Sequence, residues 1–390
     1  MQILGFEVPM SEEKKISVEQ KESSRDGEYY DVAHIDKLNA HYNVIFGKRS
    51  NGKTYSLLKK VVYKYAENGE QGAYIRRYRE DFKGKRGSTM FDGLIANDEI
   101  RKATGGKWTT VKFYSDRWYF AKQDEDDPSR LISDNVPFCY GFSLAQMEHD
   151  KSTSYPMITT VIFDEFLSRI GYLPNEFVLF MNVLSTIIRQ RNNVRIYMLG
   201  NTVSKHCPYF QEMGLKHIED MEPGKIDIYT YGKSNLKVAC EYTFNHNLEG
   251  RKSDVYFAFD NPSLQMITGG AWELDLYPHV PMEYEAKNIV FRYFINFDEH
   301  ILQCDVIEVD DKCFTYVHWK SGDIKHPETD IIYSCNYDPR PNHIRNMMHN
   351  SSNVNKKILK FYREDRVFYQ DNEAGELVRN YFLFCQKEAG

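Results

Sequence analysis

The chain contains no apolar run approaching the roughly 20 residues that a helix needs to cross a bilayer, so no membrane partner is expected. A secretory leader is not expected either, because residues 11–25 are charged where a leader carries its apolar segment. Cysteine pairs are missing too: the seven cysteines (Cys139, Cys207, Cys240, Cys304, Cys313, Cys335 and Cys385) are odd in number, scattered, and show no C-x-x-C spacing. Zinc and a disulfide framework are therefore not expected, and the thiols read as reduced and mostly buried in a cytosolic protein. Neither sign of charge dominates, since 50 Lys and Arg stand against 56 Asp and Glu for a net charge of −6 at pH 7. That mild acidity leaves a nucleic-acid partner open, because what matters is how basic groups cluster on the folded surface. Arg76, Arg77, Arg79, Lys83, Lys85 and Arg86 crowd one short segment, which reads equally as a solvated face or as a DNA or RNA contact.

What is present is more telling. With 390 residues, 42% of them hydrophobic and 14% aromatic, the chain exceeds what one core usually serves, and two globular domains are expected. The stretch Gly47-Lys48-Arg49-Ser50-Asn51-Gly52-Lys53-Thr54 fits G-x-x-x-x-G-K-[ST]. Residues 42–46 read as a buried strand before it, and residues 55–62 carry apolar side chains at helical spacing after it. Strand, glycine loop and helix start make the geometry of a P-loop: the glycines let backbone N–H groups turn onto a polyphosphate, and the helix N-terminus adds favourable dipole charge. Lys53 would then reach the β- and γ-phosphates, and Thr54 would ligate Mg2+. A second motif, residues 158–165, is an apolar β-branched run ending in Asp164 and Glu165, as expected of a central strand that delivers acids to the C-terminal edge of a sheet. Asp164 would hold the magnesium shell, and Glu165 would orient and polarise the attacking water. Alone, the first motif also fits a plain glycine-rich turn and the second a strand ending in solvated acids. Together they point to an Mg-nucleotide hydrolase.

The remaining segments are read around that pair. Residues 1 to about 40 are polar and read as a partly ordered arm without visible chemistry. Residues 73–78 look like the next strand, entered through Asn68-Gly69, and residues 108–114 and 118–121 flank Ser115-Asp116-Arg117 as a β-hairpin at the sheet edge. Asp124-Glu125-Asp126-Asp127 reads as a solvated acidic turn, and residues 136–144 as another apolar strand. A helix opens at Pro174-Asn175-Glu176, with Phe177, Phe180, Met181, Leu184, Ile187 and Ile188 on one face. Arg189, Arg191 and Arg195 at its end are dipole partners, or the place from which a ring NTPase extends an arginine finger to a neighbour. Residues 195–201 form the following strand, where Asn201 is either a γ-phosphate sensor or a turn residue. Residues 226–231 and 236–242 would complete the sheet.

Residues 44–78, with Tyr74-Ile75-Arg76-Arg77-Tyr78, resemble the genome-packaging ATPase of small protein-primed tailed phages. So do residues 160–166, 172–176 and 201–204 with Pro208-Tyr209-Phe210, and these blocks span about half the chain in order and spacing. The resemblance implies an additional-strand, catalytic-glutamate (ASCE) P-loop ATPase with a mostly parallel sheet. It also implies a homopentameric ring on the portal of an empty capsid in the host cytoplasm, driving double-stranded DNA inward on ATP and Mg2+. In the best-known members a structural prohead RNA joins ring to portal. Carried over by motif position, Arg189 would be the arginine finger acting in trans, and Lys151 a second trans-acting cation. The loop residues Gly47, Lys48, Arg49, Ser50, Asn51, Gly52, Lys53 and Thr54, with Asn201, would bind the nucleotide. Gly200 stands where the family tends to show a serine. A nucleotide switch or phosphotransferase not coupled to DNA movement, or a scaffold that binds ATP without turnover, are the competing functions.

The expected domains are 1–243 for the ATPase with its arm, 244–280 for a linker, and 281–390 for a second domain. Three strand-like runs in 288–319, then helical patterns near 343–362, resemble the RNase H-like α+β nuclease domain of large packaging ATPases. A two-metal nuclease needs a carboxylate inside the first strand. The first run has none, and Asp305, Glu308 and Asp310 all belong to the second, so the fold is expected to persist without cleavage. Arg340, Arg345, Lys356, Lys357 and Lys360 are then a nucleic-acid contact or a solvated face.

Overall fold

The computed structural model describes residues 14–19, 30–47, 51–127, 129–145, 153–168, 172–173, 175–201, 207–218, 220–231, 236–243, 277–280, 282–298, 300–310 and 312–387. The chain divides into two compact units, the first holding the described residues up to Thr243 apart from Tyr172 and Leu173, and the second holding those two residues and the described residues from Tyr277 onward. Most of the stretch read as a linker lies outside the described residues.

The first unit is built on an eleven-stranded sheet. Its strands in chain order are β1 (Lys14–Glu19), β2 (Tyr42–Gly47), β3 (Gln71–Arg76), β4 (Thr110–Tyr114), β5 (Arg117–Gln123), β6 (Leu131–Ser133), β7 (Cys139–Ser143), β8 (Ile158–Asp164), β9 (Arg195–Asn201), β10 (Lys225–Tyr231) and β11 (Leu236–Thr243). In space the order is β1-β10-β11-β2-β9-β8-β3-β7-β5-β4, with β6 beside β5. The six strands from β11 to β7 run parallel, and antiparallel strands close both ends. Parallel strands need both faces covered, which is why β2, β8 and β9 are almost wholly buried.

Helix α1 (Lys53–Asn68) packs Leu57, Leu58, Val61 and Val62 on one face, and Gly69, left-handed at φ 72°, ends it by donating its N–H to the Tyr65 carbonyl. Gly72 lets that helix approach, since a Cβ there would lie 2.5 Å from Val61 Cγ1. On the other face helix α2 (Glu176–Ile188) buries Phe180, which packs with Phe163 and Tyr209. The β4–β5 hairpin turns on Ser115 and Asp116, both at positive φ, as the sequence pattern predicts, and β4 ends the sheet. The arm contributes more than expected: β1 pairs antiparallel with β10, and a short helix spans Ala33–Asp36.

The second unit holds β12 (Ile289–Phe297), β13 (His300–Val309), β14 (Lys312–Trp319), β15 (Ile331–Ser334), β16 (His343–Ile344), helix α3 (Asn353–Arg363), β17 (Val367–Tyr369) and helix α4 (Asn372–Lys387). Its sheet order is β16-β15-β12-β13-β14-β17, with β12, β13 and β14 antiparallel and β15, β16 and β17 added in parallel. Tyr293, Ile295, Leu302, Cys304 and Val317 pack with Ile358, Leu377, Val378 and Tyr381 of the two helices. The region near 343–362 is not one helix. Asn346 and Asn350 accept local backbone N–H groups, and Ser352 caps α3 by accepting from Asn355 at 3.2 Å, so turn chemistry delays the helix start.

Candidate functional site

The glycine loop sits where β2 runs into α1. A Cβ at Gly47 would meet Thr243 Oγ1 at 2.0 Å, so the close approach of β11 requires glycine there. Asn51 donates from Nδ2 to that same Thr243 Oγ1 at 2.9 Å, and Gly52, left-handed at φ 91°, leads into the helix. Lys53 is 6% exposed, and its ammonium donates back to the Gly47 carbonyl at 3.4 Å and to Asn51 Oδ1 at 3.1 Å. Burial pushes that ammonium down to about 8, against the partial pull of Asp164 and Glu241. Lys48, Arg49 and Ser50 lie outside the described residues.

The acids arrive on β8, one strand removed from β2 because β9 lies between them. Asp164 Oδ2 accepts from Thr54 Oγ1 at 3.2 Å and from the Tyr74 hydroxyl at 2.5 Å. Hydroxyl and carboxylate oxygens side by side are a donor set that suits a hard divalent cation. Burial and the nearby Asp164 charge hold the Tyr74 phenol well above its ordinary range. Glu165 turns out of the strand at φ 59°, is 60% exposed, and accepts from Arg76 Nη2 at 2.9 Å. Asn201 ends β9 as the register partner of Gly47. With Asn51, Gly52, Lys53, Thr54, Tyr55, Gly93 and Asn97 it lines a cleft of about 550 Å³. Tyr55 follows the motif on α1, whereas Gly93 and Asn97 come there through the packing of the short helix Asp92–Ala96 beside α1.

Behind the loop lies a second set that sequence reasoning missed. The side chain of Glu241, fully buried on β11, accepts from the Tyr30 hydroxyl at 2.6 Å and lies 2.7 Å from His34 Nε2. Burial alone would lower His34, but its bond to Glu241 outweighs this and raises it above the ordinary histidine range. Tyr30 also donates its N–H to the Asn51 carbonyl at 2.8 Å, and Val32 donates to Ser56 Oγ at 3.0 Å. The arm segment read as carrying no chemistry is thus bonded to the P-loop itself.

Arg189 follows α2 and is exposed, with Nη2 donating to the Thr153 carbonyl at 3.0 Å. Arg191 is committed to the carbonyls of Tyr155, Pro156, Ile158 and Ile187. These contacts put Arg189 at the N-terminal end of β8, about 20 Å of strand away from the cleft at its C-terminal end. Lys151 lies outside the described residues. The basic run from Arg76 to Arg86 is not one surface. Arg76 and Arg77 turn inward onto acids, while Arg79, Lys83 and Arg86 pair with Asp116, Glu80 and Asp81.

A strand, glycine loop and helix with a buried lysine, facing a carboxylate from the next strand but one, is the plan of a P-loop nucleotide-binding protein. A family model described as Podovirus DNA encapsidation protein (Gp16) matches residues 129–229. The DNA packaging protein of Bacillus phage B103 is 32% identical over 178 residues, 44% of this chain and 48% of that protein. That of Bacillus phage phi29 is 28% identical over 172 residues, 43% of this chain and 45% of that protein. The match therefore spans about half the length of these curated relatives. A chain of the bacteriophage phi29 viral genome packaging motor assembly superposes with a TM-score of 0.53 at 17% identity, covering 92% of this chain and 100% of its own length. The phi28 DNA packaging motor gives 0.51 at 17% identity, over 92% of this chain and 98% of that one. The chain is similar in sequence to phage DNA packaging proteins and in fold to packaging-motor subunits.

Proposed function

We propose that this chain is the ATPase of a viral DNA-packaging motor, hydrolysing ATP to drive double-stranded DNA through the portal into a preformed capsid. The observation that carries the reading is the convergence of Lys53, Thr54, Asp164 and exposed Glu165 at one end of a parallel sheet, beside a cleft. The loop N–H groups and Lys53 would hold the β- and γ-phosphates, with Asn201 near the γ end. Thr54 and Asp164 would hold Mg2+, which supplies charge neutralisation on the phosphate oxygens. Glu165 would take the proton of the attacking water, oriented by Arg76.

α2 itself carries no Lys or Arg. Arg189, exposed and remote from the cleft of its own chain, would serve the neighbouring subunit of a ring, and Lys151 would be the second trans-acting cation that the resemblance implies. Such a finger contributes about 10³ to 10⁵ in rate, so hydrolysis would wait for a correctly docked neighbour. A pentameric ring on the portal, a structural RNA joint, and residence in the host cytoplasm with transient docking on the procapsid follow from the resemblance.

The second unit is read as RNase H-like and devoid of nuclease action. Its three antiparallel strands continue into parallel additions and two covering helices. A nuclease needs an acid on the first strand, whereas β12 carries none and its Arg292 is bonded to Asp305. Glu308 is exposed, and Asp310 lies in the turn after β13.

ATP turnover with and without duplex DNA, at low and moderate salt, tests the motor. Stimulation is expected, and its absence would favour a nucleotide switch. Lys53→Ala and Arg189→Ala proteins should each be inactive and should partly restore activity when mixed. No restoration where rings form would refute the trans assignment.

A further inference from the structure

The turn that carries Glu165 is held by a residue that the scheme above does not use. Arg77 follows Arg76 at the end of β3 and is 8% exposed. Its guanidinium forks onto Glu176, Nε to Oε2 at 2.7 Å and Nη2 to Oε1 at 2.8 Å. The same group donates to the Glu165 carbonyl at 3.1 Å and to the Phe166 carbonyl at 3.0 Å. The two amides of the turn are also engaged: Glu165 N–H donates to Asp164 Oδ1 at 3.0 Å, and Phe166 N–H to the Leu199 carbonyl at 3.1 Å. Every backbone polar group of residues 165 and 166 is therefore bonded. Glu165 keeps a φ of 59°, a conformation that a non-glycine residue retains only where its surroundings over-determine it.

Glu176 is 2% exposed, accepts from the Tyr209 hydroxyl at 2.8 Å, and is the first residue of α2, whose last turn leads into Arg189. We propose that Arg77 and Glu176 form a positioning brace for hydrolysis: they fix the main chain of Glu165 while Arg76 orients its side chain. The brace also ties that turn rigidly to the helix that presents Arg189. Two adjacent arginines thus divide one glutamate between them. A force on Arg189 from a neighbouring subunit reaches the Glu165 carbonyl through one bidentate ion pair. The inference rests on the hydrolase reading. Lysine at position 77 would keep the charge and lose the planar fork that reaches a carboxylate and two carbonyls together.

The test measures nucleotide affinity and single-site turnover separately, on the full chain, for wild type, Arg77→Lys, Glu176→Gln and Tyr209→Phe. A fluorescent ATP analogue reports Kd, and phosphate release reports kcat per bound nucleotide. Arg77→Lys and Glu176→Gln should leave Kd within about threefold while kcat falls by about 10²-fold, the scale set by misplacing a reacting group by about 1 Å. Tyr209→Phe, which leaves the fork intact, should cost only a few-fold in kcat. A merely structural role would reduce the fraction of protein that binds and leave kcat per bound nucleotide unchanged, and that result overturns the brace. If Arg77→Lys does not fold, Glu176→Gln decides by the same two readouts. Under conditions where rings form, wild type without turnover overturns the hydrolase reading and the brace together; wild-type turnover with unchanged variants overturns the brace alone.

Discussion

Each unit sets an acid from one strand against an arginine from a neighbouring strand, and the two pairs have opposite characters. Glu165 at the end of β8 is 60% exposed and meets Arg76 through one bond of 2.9 Å. Asp305 inside β13 has a side chain only 3% exposed and accepts from Arg292 at 2.6 Å and from Gln303 at 3.1 Å, with His318 Nε2 at 3.2 Å. The first carboxylate is oriented and still open to water. The second is saturated, with no lone pair left for a metal ion or a reacting proton. A strand-borne acid becomes a working group or a strut according to how many donors its neighbours aim at it.

The largest effect should come from exchanging the two acids for their amides. Glu165→Gln should lower ATP turnover by about 10³-fold, within the range of a lost general base, with nucleotide affinity nearly unchanged. Asp305→Asn should leave turnover within about twofold, since its carboxylate is already taken up by Arg292, Gln303 and His318 and has no proton to move. Phosphate release from both variants measures this, and equal losses would abolish the contrast.

A smaller effect should come from Lys53. Burial lowers this ammonium from 10.5 to about 8 in the folded chain, so between pH 8 and 10.5 the unfolded chain binds a proton that the folded chain does not. Stability must then rise with pH across that window, and the charged lysine costs the folded state at neutral pH. Lys53→Met protein without nucleotide should be more stable than wild type at pH 7 by on the order of 3 kcal/mol, with the gap closing toward pH 10. Urea unfolding at both pH values checks the sign. Nucleotide affinity of wild type should also fade above pH 8 as the cation is lost.

The P-loop and the β8 acids were legible because their chemistry demands particular residues at contiguous positions between a strand and a helix. The three antiparallel strands of the second unit were legible from alternation and turn residues. What stayed hidden meets only through the sheet. Tyr30 and Glu241 are 211 residues apart, and Arg77 and Glu176 are 99 apart. Arg76 and Arg77 read as part of a basic run because residue type alone does not say which face of a strand end each one takes. Pairing β3 with β8 brings Arg76 to Glu165, and α2 brings Glu176 to Arg77. A signal for β1 did exist, since Ile16 and Val18 alternate with polar residues in an otherwise charged arm.

The smallest effect tests the strut itself. Burial opposes the charge on Asp305, yet bonds from His318, Arg292 and Gln303 outweigh it and hold the carboxyl below its ordinary range. A depressed carboxyl stabilises the fold fully above its unfolded value, near pH 4, and that contribution is lost as pH falls through the folded value. Because Arg292 is 43% exposed, solvent screens the pair, and Asp305→Asn should cost only about 1–2 kcal/mol at pH 7. Thermal unfolding from pH 7 down to pH 3 should show the wild-type advantage shrinking once the medium is more acidic than about pH 4. An advantage that stayed constant through that range would mean that shape, and not charge, is what Asp305 contributes, and the saturated acid would then no longer be the electrostatic counterpart of Glu165.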